Sequence, residues 1–382
     1  MKPRSFRKIV ETVHLWTGLV LCVPMILIGL SGSVLLVQRE ILSLSVPSAL
    51  ATGEPQSLVR IIDAANAAMP VMKANWIELP QVAGRPASVQ FAVGRRPARN
   101  VEVYIDPVSL RVLGTSEIVR RGPIMSTIVN LHEFLMFPSA FGLRLVGWIA
   151  VAMTLMGFSG LFLWWPRDGR WLRAFLIARR ARGLRLHLDL HHAVGIWGLL
   201  LFLILSISGI YLAFPQTVSS AVRVVLPPHR SAAIAERGGI KPNWPNDPDQ
   251  AVALAMSAVP DARVTGIQLP GNSGTPYIAQ LEITGFGPAV PPITVTMDRD
   301  SADIVTIDDP RSYSAAERFL NLLYALHFSV GMGAAWTALV FLSGLLPLFL
   351  AVTGLTIWWK KRQARRPQPA LLAGSGTQPR LT

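Results

Sequence analysis

Four stretches of this chain are apolar for long enough to cross a bilayer, and this constrains the fold more than any other feature. A membrane-crossing helix needs about 20 mainly apolar residues. Runs of that length extend from about Ile9 to Val37, Leu143 to Trp165, His192 to Phe214 and Trp336 to Trp359. In hydrocarbon every backbone N–H and C=O must find a partner within the protein, so such runs are helices. Charged residues make up 15% of the chain and hydrophobic ones 51%, whereas soluble domains carry roughly 25% charged residues. Burial in lipid accounts for the deficit. The net charge of +14 does not read as nucleic-acid binding. No groove-reading motif accompanies it, and the basic residues sit beside the apolar runs.

Their placement gives the topology. Lys2, Arg4, Arg7 and Lys8 precede the first run, and a basic segment from Arg167 to Arg185 joins the second to the third. Lys360, Lys361, Arg362, Arg365 and Arg366 follow the fourth. With four spans, all three segments fall on one side, which the positive-inside rule makes cytoplasmic. Both termini are then cytoplasmic and the long loops face the outside, which is the periplasm if the cell is Gram-negative. A cleaved signal peptide is the rival for the first run, but that run far exceeds the usual 7–15 apolar residues of a signal core. It is expected to be retained.

The expected division is 1–40 for the N-terminus and first span, 41–123 for an outer module, and 124–166 for an interfacial helix and second span. A basic loop follows at 167–190, the third span at 191–215, and a second outer module at 216–312. An interfacial helix and fourth span occupy 313–361, with a tail at 362–382. Each module reads as one helix (Ser57 to Met69; Asp249 to Ala258) followed by four short strands. The fold class is therefore a membrane α-helical bundle of four transmembrane helices with two small α+β modules.

The halves repeat. His14-Leu-Trp-Thr-Gly18 matches His191-His-Ala-Val-Gly195, and Ser31-Gly32 matches Ser208-Gly209. Asn130-Leu-His132 matches Ala325-Leu-His327, and Ser159-Gly160 ahead of Trp164-Trp165 matches Thr353-Gly354 ahead of Trp358-Trp359. Both halves enter and leave the membrane in the same sense, which makes a parallel two-fold repeat.

Chemistry concentrates on histidine. His14 and His191 open the first and third spans, and His132 and His327 precede the second and fourth. A neutral imidazole in a membrane bundle has a strong use as an axial ligand of haem iron. The membrane, about 30 Å thick, keeps His14 from His132, so the pairs are His14 with His191 and His132 with His327. His192 and His187 are alternates to His191, although the His-x-x-x-Gly spacing favours His191. His229, in a Pro-Pro-His-Arg loop, has no counterpart in the other half. Cys22 is the only cysteine, which excludes internal disulfides, cysteine-held clusters and covalent Cys-x-x-Cys-His haem. Any haem is held non-covalently. The Ser/Thr-Gly pairs read as sites of close helix packing that also leave room for a porphyrin. The Trp doublets read as an aromatic belt, with electron relay as the lesser use. Trp76, Tyr104, Trp244 and Tyr277 are outer aromatics, more often core than contact residues.

The Leu-His-x-x-x-Gly openings, the Leu-His segments before the even spans, the Ser/Thr-Gly span ends and Asp106-Pro-Val-Ser-Leu-Arg-Val-Leu113 together resemble the PepSY-associated transmembrane family over nearly the whole chain. The resemblance implies PepSY modules on a four-span core. Iron-regulated members of that family are similar to two-haem inner-membrane ferric-siderophore reductases. It carries the family's haem ligands onto His14, His132, His191 and His327. It also implies two haem b groups, a ferric hydroxamate such as ferrioxamine B as acceptor, and a cytoplasmic or quinol donor. No Rossmann glycine fingerprint follows a strand, so the donor comes from outside the chain. Two rival readings are a siderophore transport component and a regulatory PepSY interaction protein. The first would need a polar path through the spans, and the second would need no histidines at matched depths.

Overall fold

A computed structural model describes residues 6–38, 46–82, 84–93, 99–116, 123–167, 169, 171–227, 247–271, 275–283, 290–301 and 303–365. His229 and Trp244 fall outside them. The described elements run α1 (Phe6–Leu36), α2 (Leu58–Ala68), β1 (Ala74–Glu78), β2 (Ala87–Val93), β3 (Arg99–Ile105) and β4 (Val112–Ser116). Then come α3 (Pro123–Phe134), α4 (Ser139–Trp164), the single turn α5 (Trp171–Ala174), α6 (Gly183–Ala213) and α7 (Pro215–Val225). The second set is α8 (Pro248–Ala258), β5 (Ala262–Gln268), β6 (Tyr277–Ile283), β7 (Ile293–Met297) and β8 (Ile304–Asp308). It ends in α9 (Ala315–Phe328), α10 (Gly333–Ser343) and α11 (Leu346–Ala364).

Among the described residues, four helical segments are long and apolar enough to cross a membrane: α1, α4, α6 and the α10–α11 pair. The third begins at Gly183, earlier than hydropathy places it. The polar stretch Arg185 to Asp189 is helical too, closed by an Arg185–Asp189 ion pair of 2.8 Å one turn apart. The first span touches the second and fourth, and the third span touches the same two. The first and third spans are therefore diagonal partners across the bundle.

The fourth span is broken at Gly344-Leu345. Pro347 has no N–H for the Ser343 carbonyl, which ends α10. At the break the backbones of the first and fourth spans nearly touch. A methyl group on Gly29 would lie 2.5 Å from the Gly344 carbonyl oxygen. Glycine permits that approach, and the Ser33 hydroxyl donates to the Phe341 carbonyl at 2.7 Å.

Outside the bundle, the two expected modules merge into one antiparallel sheet in the order β4-β3-β2-β1-β5-β6-β7-β8. The join is β1 on β5, pairing Trp76 with Gln268, Ile77 with Ile267 and Glu78 with Gly266. Left apart, each module would expose the unpaired edge of its innermost strand. Ile77 and Ile267 are fully buried. Residues of α2 (Ile61, Ala65) and α8 (Ala251, Ala255) cover one sheet face as a single core. The two helices are also tied end to end. Asp249 of α8 accepts the Leu58 and Val59 amides at the start of α2, at 2.7 and 3.1 Å, where a carboxylate meets the positive end of the helix.

Candidate functional site

Two pairs of histidines lie at two depths of the bundle, each imidazole held from one side by a neighbouring helix. At the end of the bundle remote from the sheet, His14 Nδ1 is 2.8 Å from Ser159 Oγ and His191 Nδ1 is 2.9 Å from Thr353 Oγ1. The Ser159 hydroxyl donates to the Met156 carbonyl at 3.0 Å, and the Thr353 hydroxyl donates to the Phe349 carbonyl at 2.9 Å. Each hydroxyl proton is thus committed elsewhere, so the imidazole is the donor through Nδ1–H.

At the end nearer the sheet the same logic holds. His132 Nδ1 donates to the Ile28 carbonyl at 2.9 Å, with Ser31 Oγ at 3.3 Å. His327 Nδ1 donates to Ser208 Oγ at 2.9 Å, whose own proton goes to the Ile204 carbonyl at 2.7 Å. An imidazole protonated at Nδ1 keeps its lone pair on Nε2. All four histidines therefore present a bare Nε2, the tautomer in which metal-binding histidines are commonly fixed by a neighbouring acceptor. On α3 and α9, burial pushes His132 and His327 below the ordinary imidazole range, His327 to about 4 with some contribution from His132. Both therefore stay neutral.

The glycine of each Ser/Thr-Gly pair completes the cradle. A methyl group on Gly32 would lie 2.8 Å from His132 Cε1. At Gly160 and Gly354 it would lie 3.4 Å from Cε1 of His14 and His191, and at Gly209 3.8 Å from that of His327. The sequence shows these dipeptides as small residues; their service as imidazole seats appears only when adjacent helices are placed together.

His14 and His191, from diagonal spans, line one cavity of about 790 Å³, within the range of small-molecule sites. Its walls come from all four spans and include Gly18, Met156, Gly195 and Gly354. His192 also lines it, whereas His187 is not among the lining residues. His191 holds the Thr353 bond that mirrors His14 and Ser159, which distinguishes it within the doublet. The rings of His132 and His327 have centroids 6.4 Å apart at an interplanar angle of 58°. Two imidazoles bound through Nε2 to one metal at about 2 Å would place their centroids roughly 6 Å apart, so the spacing could admit one metal ion between them. Among the described residues no group of three or more His, Cys, Asp or Glu could hold a metal ion. A pair of imidazoles suits a metal whose remaining positions are filled by a macrocycle. Along α1, the His14 and Ser31 levels are roughly 25 Å apart at 1.5 Å per residue.

Of the tryptophan doublets, Trp164 and Trp358 line the cavity, whereas Trp165 and Trp359 point outward, 53% and 52% exposed. The Trp164 indole donates to the Ala174 carbonyl at 2.9 Å and the Trp197 indole to that of Phe175 at 3.2 Å. These bonds fasten the basic loop under the bundle. Tyr104 and Tyr277 are buried, and Trp76 packs over Gly266 at the sheet join.

The sequence model of the PepSY-associated TM region matches residues 12–361. The chain belongs to the PepSY-associated transmembrane family. The match takes in most of the first and fourth spans, all of the second and third, the whole sheet and the four histidines with their Ser/Thr-Gly seats. No curated protein matches this PepSY-associated transmembrane protein in sequence.

Proposed function

We propose that this PepSY-associated transmembrane protein is a di-haem b-type electron-transfer protein of the bacterial inner membrane, a reductase of ferric siderophores. In this reading both termini are cytoplasmic, the sheet is periplasmic, and the halves are parallel copies of one unit. The observation that carries it is the set of four Nε2 lone pairs, arranged as two pairs at two depths. With each Nδ1 proton taken by a neighbouring acceptor, the Nε2 lone pair is left available to a metal, the arrangement in which ligating histidines are commonly held.

Haem iron held between such pairs supplies one-electron redox chemistry. The chain does the rest. Ser159, Thr353, Ser208 and the Ile28 carbonyl accept the Nδ1 protons, orient the rings and raise their basicity. The apolar spans exclude water around both pairs. The stacked levels connect a cytoplasmic or quinol donor to a periplasmic acceptor, a ferric hydroxamate such as ferrioxamine B. One electron taken up by its Fe(III) gives Fe(II), which the hard hydroxamate oxygens hold less firmly.

Purified protein should show a low-spin b-type spectrum and about two haems per chain by pyridine haemochrome. Addition of a ferric hydroxamate to the dithionite-reduced protein should reoxidise it. A colourless preparation from haem-replete cells rules out the haem reading. A red protein that ferric hydroxamates fail to reoxidise keeps the haem and removes the acceptor.

A further inference from the structure

The cavity holding His14 and His191 is chemically polar at one end. Its mouth is lined by Lys8 and Glu11 of the first span and by Lys361, Arg362 and Arg365 of the fourth. Deeper in, past the histidines, the lining turns apolar with Met25, Phe202, Leu346 and Pro347. One chamber thus carries a cationic rim, two imidazoles from diagonal spans and an apolar floor. Positive-inside bias explains why cations gather at this end, but it does not require several of them to line the wall of one cavity.

Neighbouring charges are already engaged. Arg7 donates to the Leu163 carbonyl at 2.7 Å, and Arg185 pairs with Asp189 on the third span. The Arg362 guanidinium sits over the Trp358 ring, 5.4 Å from its centroid. Glu11 stands 4.0 Å from Lys361, too long for a tight pair, and among the described residues lining the cavity it alone is acidic. His192 completes the set from the third span.

We infer that this rim is a carboxylate-binding subsite, in which Lys8, Lys361 and Arg365 take the acid groups of the ligand bound between His14 and His191. The inference rests on the haem reading, since haem b is a flat apolar ligand with two carboxylates on one edge. Charge-assisted bonds at the mouth and the cost of burying a carboxylate on the apolar floor act in the same direction. Together they select one orientation, acid edge outward and apolar edge toward Met25 and Phe202. That edge then faces the level of His132 and His327.

The test compares haem b with its dimethyl ester, titrated by absorbance into full-length protein from which haem has been extracted. Wild type should bind the diacid more tightly by about tenfold or more, as charge-assisted contacts imply, and salt should narrow the gap by screening. The Lys8→Gln, Lys361→Gln, Arg365→Gln triple variant should bind the diester as wild type does and lose the preference. Equal binding of diacid and diester by wild type overturns the rim while leaving the haem reading intact. Failure to bind either compound, with a colourless native preparation, overturns both.

Discussion

His132 and His327 come from opposite halves of the chain, yet their rings meet with centroids 6.4 Å apart and their Nδ1 protons turned away toward Ile28 and Ser208. Nothing local holds them together. The meeting is made by two diagonal spans, each of which seats one ring.

If each histidine pair holds one haem, as proposed, replacing either ring should empty this level and spare the other. His132→Ala and His327→Ala are each expected to lower haem content from about two to about one per chain, with the remaining spectrum still low-spin. His14→Ala and His191→Ala should do the same for the deeper pair. Loss of both haems in a single outer variant would contradict the pairing.

The hydroxyl seats tune without ligating. Thr353→Val and Ser159→Ala remove the acceptor of His191 and His14 Nδ1. Outer-shell losses of this kind typically weaken a metal site by 10–100-fold. The bare imidazole is a poorer electron donor, so the midpoint potential of the inner site should rise. Spectroelectrochemical titration checks this; an unchanged potential would leave the hydroxyls a purely steric part.

Glycine seats differ in tightness. A methyl group at Gly32 collides with His132 Cε1 at 2.8 Å, whereas at Gly209 it meets His327 at an ordinary 3.8 Å. Gly32→Ala should therefore displace the ring and cost outer haem, while Gly209→Ala should retain it. Equal haem loss in both variants would point to helix packing instead of the ring contact.

The sheet domain should be acid-sensitive through Asp106, which is 1% exposed. Burial raises its pKa, but amide hydrogen bonds from Ser109, Ala51 and Val108 outweigh burial and hold it below the ordinary value. A carboxylate depressed in the folded state contributes stability above its unfolded pKa of about 3.9, and loses it as pH falls through the folded value. Asp106→Asn should cost about 1–3 kcal/mol near neutrality, with the gap to wild type closing below about pH 4. Denaturant melts of the domain's tryptophan fluorescence at both pH values decide the point; a constant gap would assign the acid loss to other carboxylates.

At the join of the two half-sheets, Gly266 packs against Trp76. A methyl group there would lie 2.5 Å from the indole and 2.9 Å from the Ile77 carbonyl oxygen. Gly266→Val should break the β1–β5 pairing and expose the Ile77 and Ile267 core, at a cost of about 1–3 kcal/mol or more, as for core overpacking. Limited proteolysis should then cut the outer domain while the spans stay protected. Wild-type resistance would show that the join tolerates a side chain.

Much of this protein is legible in one dimension, because hydrocarbon forces each span to satisfy its own backbone and alternating patterns mark half-buried strands. The four spans, the helix-then-strands order of each outer segment and the recurrence of His14, His132, His191 and His327 are all visible that way. A helical period tells which face a residue occupies but not which neighbour it meets. The sequence therefore shows Ser159, Thr353, Ser208 and Gly32 only as small residues, and leaves His191 and His192 nearly equivalent. Tertiary structure decided those matters by bringing the second span beside the first, the fourth beside the third, and α3 and α9 against the first and third. It likewise joined Ile77 to Ile267, since two strands far apart in the chain carry no local sign that each is the other's partner.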